Sequence, residues 1–199
     1  VACMGSYANF EDGDCITTKL SKKLGTEICM PCEAVIGANS NVDYIAKVGQ
    51  AVGVNEPLVI FDQSSKDASF NKMLANIGED LKEEITGLGK TPIKSKYAGV
   101  IQDIKIYSTI DLDEMSPSLR KIVARYYDGI KAKKKIISKY RKGYSLNDYT
   151  FTEQDKKIES EDGKIMGVTV GEGVLIRFFI KYHDNMDVGD KLVHFAALK

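Results

Sequence analysis

At 199 residues the chain is long enough for one large domain or two small ones with ample core. Its 28 Lys and Arg balance 28 Asp and Glu, so a polyanionic partner would have to be met by local patches and not by overall charge. No apolar run approaches the roughly 20 residues of a membrane span and no signal peptide is visible, which excludes a helical membrane anchor in this stretch and points to the cytoplasm.

Taken in order, residues 1–4 read as a short strand and residues 7–14 as an acidic loop in which Glu11 and Asp12 are adjacent. Residues 15–20 read as a resumed strand, and residues 21–26, with Gly25, as a turn. Residues 27–36 are apolar and β-compatible and predict a strand. This strand carries Cys29-Met30-Pro31-Cys32. Half a zinc site completed by Cys3 and Cys15, or a redox pair, are the alternatives to reduced thiols in a cytosolic chain. The missing second close pair favours reduced thiols, so no zinc is expected. Residues 37–41 form a loop. In residues 42–61, two Gly turns and alternating apolar positions predict short strands wrapping a small barrel.

Residues 64–88 read as a helix capped by Ser65 or Asp67. Phe70, Met73, Leu74, Ile77, Leu81, Ile85 and Leu88 recur at helical spacing. Packing on the chain's own barrel and docking of a partner are both open for that stripe. Residues 97–109 predict a strand with Val100, Ile104 and Ile106 as its β-branched positions, and residues 111–115 an acidic turn. Ser116-Pro117 starts a second helix, to about residue 142, with Pro117 suited to its first position. Its apolar stripe is Leu119, Ile122, Val123, Tyr126, Ile130, Ile137 and Tyr140. The other positions are strongly basic, including Lys131, Lys133, Lys134, Lys135 and Lys139, with Asp128 almost alone in opposing them. This helix is a candidate for the nucleic-acid backbone, with a solvated face as the alternative. Residues 143–162 read as polar loop or hairpin with a strand candidate at 144–151. Asp162-Gly163 reads as a hairpin turn, and residues 164–170 and 173–182 as strands joined through Gly171-Glu172. His183 and His194 are isolated and read as structural or solvated.

The end of the chain, Val188-Gly189-Asp190-Lys191-Leu192-Val193-His194-Phe195-Ala196-Ala197-Leu198-Lys199, places two lysines eight positions apart. Lysines bind phosphate oxygens as point charges, and carboxylates such as Glu11 and Asp12 hold Mg²⁺ or its waters. Together these suggest polyphosphate chemistry. A chain that starts at Val1 without an initiator Met and stops inside this motif is expected to be an excerpt of a longer polypeptide.

Four ordered motifs carry a resemblance along nearly the whole chain. Asn9-Phe10-Glu11-Asp12 with Ile16-Thr17-Thr18-Lys19-Leu20, the strand Gly99-Val100-Ile101-Gln102-Asp103-Ile104-Lys105-Ile106-Tyr107, the strand Val174-Leu175-Ile176-Arg177-Phe178-Phe179-Ile180, and Gly189-Asp190-Lys191 with Lys199 resemble the beta subunit of multisubunit DNA-directed RNA polymerase. Residues 9–14 are also similar to the magnesium loop of the largest polymerase subunit, but their acids are out of register with it. Between the two lysines the family writes Arg-His-Gly-Asn where this chain has Phe195-Ala196-Ala197-Leu198. That departure suggests a divergent member of bacteriophage type, located in the host cytoplasm or the virion.

The resemblance implies a mainly β fold with helical insertions (α+β): part of a double-psi β-barrel interrupted by a flap of barrel-sandwich hybrid type. The hybrid fold is shared with lipoyl and biotinyl carriers. Lys72-Met73 lies in a helical pattern and not on a hairpin tip, so the carrier function does not follow. Residues 1–20 and 173–199 would belong to the barrel and 21–172 to the flap, with helices near 64–88 and 117–142. The implied reaction is nucleotidyl transfer from ribonucleoside triphosphates to RNA on a DNA template. Lys191 and Lys199 would hold RNA and nucleotide phosphates, and Glu11 and Asp12 would approach Mg²⁺ through water. The main metal ligands would belong to the largest subunit, so the isolated chain would be inactive. Phe70, Met73, Leu74, Ile77 and Leu81 would dock a promoter-specificity factor, and Lys133, Lys134 and Lys135 would lie on nucleic-acid phosphates. A non-catalytic flap-like module that binds a specificity factor or RNA, and a carrier or structural barrel, are the other readings.

Overall fold

The computed structural model describes residues 4–5, 14–62, 90–140, 153–160 and 162–191. Strands β1 (Met4–Gly5) and β2 (Asp14–Cys15) pair antiparallel near the start. Helix α1 (Thr18–Leu24) follows, then β3 (Thr26–Gly37), β4 (Asn41–Ile45), β5 (Ala51–Val52), β6 (Pro57–Asp62), β7 (Lys90–Lys94) and β8 (Gly99–Ser108). A 3₁₀ turn (Leu112–Glu114) leads into helix α2 (Pro117–Tyr140). Strands β9 (Lys164–Ile165), β10 (Val168–Thr169) and β11 (Gly173–Asp184) complete the described fold. The class is mainly β, of α+β type.

The central sheet has the order β3-β11-β8-β5, and a second sheet has the order β4-β6-β7. β11 is the spine of the first. It pairs antiparallel with β3 over all twelve residues, from Gly173↔Gly37 to Asp184↔Thr26, and with β8 on its other edge. Val174, Ile176, Phe178 and Ile180 point to one face and are fully buried. They meet Ala34 and Ile36 of β3, Ile101 and Ile106 of β8, Leu58, Val59 and Phe61 of β6, and Leu119 and Val123 of α2 in one core. Against the opposite face Leu175 and Tyr107 pack on Ile165 and Val170, so the β9–β10 hairpin covers one end of that face.

Three expectations are corrected. Residues 15–20 do not continue as a strand and residues 21–26 do not form a turn, because Thr18–Leu24 is helical. The Thr17 hydroxyl oxygen accepts from the Leu20 N–H at 3.2 Å and caps the helix, and Lys22 and Lys23 sit in its last turn, where cations complement the carbonyl end. In β8 the expected β-branched positions Val100, Ile104 and Ile106 do not share one face. Phe179 pairs with Asp103 and Ile180 with Ile101, leaving Gln102 as the extra residue of a bulge. The parity flips there, so Ile101 is buried and Val100 is 45% exposed. Residues 164–170 are not one strand. They fold into a hairpin in register Val168↔Ile165 and Thr169↔Lys164, turning at Met166 and Gly167, both at positive φ (50° and 83°). Two positive-φ residues match a hairpin's twist, and a Met at the first of them gives no sequence signal. Gly163, also at positive φ, closes the base of that hairpin, its carbonyl accepting from Val170 N at 2.8 Å and Gly171 N at 3.0 Å.

Helix α2 begins where Ser116-Pro117 predicts. The Ser116 hydroxyl accepts from the Leu119 N–H at 3.3 Å and donates to the Ser40 carbonyl at 2.7 Å. The Ser118 hydroxyl accepts from Val42 N–H at 2.9 Å. These bonds hold the start of α2 to the β3–β4 turn. Leu119, Val123, Tyr127 and Ile130 are buried. Tyr127 was absent from the predicted stripe. The helix of residues 64–88 and the strand candidate at 144–151 lie outside the described residues. Cys29 and Cys32, three apart on an extended strand, face opposite sides of the sheet; Cys29 is exposed and Cys32 buried.

Candidate functional site

Lys191 follows the turn that comes after β11. After Asp184 the chain turns at Asp187–Asp190, where Asp190 N–H donates to the Asp187 carbonyl at 3.1 Å. The Asp190 carboxylate accepts from Asp187 N–H at 2.8 Å, and Gly189 takes φ 102°, a conformation that suits Gly. Helix α1 buttresses this turn. The Ser21 hydroxyl donates to the Met186 carbonyl, and Met186 N–H donates to the Ser21 carbonyl at 3.3 Å. Gly25 lies so close that a Cβ there would meet the Asp184 carbonyl oxygen at 2.5 Å and His183 Nε2 at 2.6 Å. His183 itself contacts the Lys22 carbonyl at 3.1 Å, a structural role. Lys191 is exposed beside this braced turn. Sequence reasoning missed Ser21 and Gly25 as positioning residues, because their partners are about 160 residues away in the chain.

Of the other residues expected to touch phosphate or metal, Glu11, Asp12 and Lys199 lie outside the described residues. So do the factor-docking positions Phe70, Met73, Leu74, Ile77 and Leu81. Among the described residues no group of three or more His, Cys, Asp or Glu is arranged to hold a metal ion.

Gly99, at the start of β8, lies tight against β11. A Cβ on Gly99 would collide with the Lys181 carbonyl oxygen of β11 and would stand 3.0 Å from Tyr182 Cβ. Beside it Tyr182 stacks on Tyr97, ring centroids 5.0 Å apart. On the opposite face of β11, Arg177 pairs with Glu33 at 3.0 Å, and Lys105 and Arg177 stand 5.5 and 5.8 Å from the Phe179 ring centroid. The Phe179 ring is thus occupied by the chain's own cations.

The basic run of α2 is divided by tertiary contacts. Lys134 pairs with Asp155 at 2.8 Å and Lys133 with Glu153 at 3.6 Å, both acids lying in the segment that returns along the helix. The hydrogen bond from Lys134 holds the Asp155 carboxyl below the usual carboxylate range. Lys157 of the same segment pairs with Asp111. Ile158 N–H donates to the Ser108 carbonyl at 2.7 Å and so docks the segment beyond the end of β8. A cavity of about 750 Å³ lies between this segment and α2, lined by Tyr127, Lys131, Asp111, Asp155 and Lys157 among others. Burial pushes the Tyr127 hydroxyl up to about 12. Lys135 stays exposed.

No protein-family model matches the chain, and no curated protein matches it. No described helix is long and apolar enough to cross a membrane.

Proposed function

We propose that the chain is part of the second-largest, beta-type subunit of a DNA-directed RNA polymerase. One observation carries the reading. The two strands that hold the most extensive resemblance, β8 and β11, are direct antiparallel neighbours, and β11 ends at Asp184, shortly before the turn at Asp187–Asp190 that precedes Lys191. The motif's Gly99 has a physical reason on this reading, since only a residue without Cβ passes the Lys181 carbonyl.

The chemistry follows from the lysine. Nucleotidyl transfer concentrates negative charge on oxygens bound to phosphorus, and a cation held beside them stabilises the transition state more than the ground state. Lys191, on a turn braced by α1, is suited to hold a phosphate of RNA or nucleotide, with Lys199 as its companion. The resemblance places Mg²⁺ with the largest subunit, with Glu11 and Asp12 nearby. Double-psi barrel and flap remain the proposed architecture. On this reading residues 1–20 and 173–199 belong to the barrel and 21–172 to the flap.

The test is assembly. The intact polypeptide that contains this chain, co-expressed with its largest-subunit partner, should purify as a complex that extends an RNA primer on a DNA template. A complex that forms and binds RNA or a specificity factor but adds no nucleotide would leave only a flap-like binding module. A polypeptide that assembles with no polymerase subunit would refute the reading.

A further inference from the structure

We infer that the outer face of α2 is a binding surface for a nucleic-acid phosphate backbone, made by Lys121, Arg125, Lys135 and Lys139 and not by the Lys133–Lys134 pair. The inference depends on α2 alone and not on the polymerase reading. The helix buries Leu119, Val123, Tyr127 and Ile130, and at 3.6 residues per turn the positions opposite them are 121, 125, 128, 132, 135 and 139. All six are exposed. Four carry cations, Ala132 is neutral, and Asp128 is the one acid. None of the four cations forms an ion pair with a carboxylate among the described residues. Lys133 and Lys134, by contrast, lie on the flank where Glu153 and Asp155 already neutralise them.

Spacing fits a backbone. Lys121 with Arg125, and Lys135 with Lys139, are four residues apart and stand about 6 Å from each other on one face. From first to last the stripe spans roughly 27 Å. A row of like charges on a helix repels itself in the absence of a polyanion, and such a row matches an extended line of phosphates better than a single bound anion. The stripe contains no aromatic side chain on which a base could stack, so the recognition is of charge and not of sequence. Single-stranded RNA and duplex DNA present the same chemistry and are separated by experiment.

The test is fluorescence anisotropy of the full chain with a labelled single-stranded RNA and with a duplex DNA, as a function of salt. Four phosphate contacts give a slope of log affinity against log salt near −3 for a single strand, about fifty-fold between about 50 and about 200 mM salt, and a somewhat steeper one for a duplex. The stronger of the two ligands names the source. Replacing all four cations by Gln should remove most of that slope, and Lys135→Gln or Lys139→Gln alone should each lower it by about 0.7 on RNA. Lys133→Gln with Lys134→Gln should leave the slope unchanged. Glu153→Gln with Asp155→Asn should steepen it by removing the two acids paired with Lys133 and Lys134. Thermal unfolding of each variant at the parental temperature separates these effects from misfolding. A quadruple variant with the parental slope, a parental chain that binds neither ligand at the lowest salt, or polyglutamate competing as well as RNA would each overturn the inference, the last in favour of an acidic protein partner.

Discussion

The same substitution, Gly to Ala, should change stability in opposite directions at two places, and the contrast tests the strand register that supports the functional reading. Gly99 begins β8 beside Lys181 and Tyr182 of β11. A Cβ there would overlap the Lys181 carbonyl oxygen and come to 3.0 Å from Tyr182 Cβ, so one backbone must move. Overpacking of this kind costs about 1–3 kcal/mol, and a clash with backbone belongs at the upper end. Gly129 sits mid-helix in α2, where a Cβ would meet nothing within 4 Å. Ala there gains the helix-propensity difference of about 1 kcal/mol. A chain of this size shifts by roughly 2–4 °C per kcal/mol. Thermal unfolding followed by circular dichroism should therefore show Gly99→Ala lowered by roughly 6–12 °C and Gly129→Ala raised by roughly 2–4 °C. A Gly99→Ala chain that unfolds at the parental temperature would mean that β8 and β11 are not in this register, and the observation behind the polymerase reading would be lost. A destabilised Gly129→Ala chain would mean that α2 is covered at Gly129.

Two further outcomes follow. Burial raises the Tyr127 hydroxyl to about 12, so above about pH 10 the unfolded chain loses this proton first and the folded chain holds it. The stabilisation is complete below about pH 10, is lost as pH rises towards 12, and amounts to on the order of 3 kcal/mol; Tyr127→Phe should flatten the alkaline limb of a denaturation series by that amount. Phe70→Asp or Ile77→Asp should weaken docking of a specificity factor while leaving elongation on preformed scaffolds intact; equal loss in both assays would make the stripe core packing.

Legibility in the sequence followed the range of the interactions. The start of α2, strands β3, β8 and β11, and the acidic turn before α2 were readable because caps, proline position and β-branched runs are local signals. Helix α1 was misread because residues 15–20 look strand-like until the Thr17 cap and the lysine-rich turn are weighed together. The parity of β8 was lost at Gln102 because a bulge is set by the partner strand. The division of the basic helix into neutralised and open cations was invisible, since Glu153 and Asp155 arrive from about 20 residues downstream. The bracing of the lysine turn by Ser21 and Gly25 is a contact across the whole chain, which no local signal carries.

The central claim is tested most directly at Lys191. In the assembled enzyme, single-nucleotide extension on a preformed RNA–DNA scaffold should slow about a hundredfold in Lys191→Ala, the loss of on the order of 3 kcal/mol of transition-state stabilisation, with assembly intact. Lys199→Ala should slow it likewise, and Lys191→Arg should not restore the full rate, because a guanidinium fork differs in shape from an ammonium. Extension at the parental rate by both alanine variants would contradict the active-site assignment.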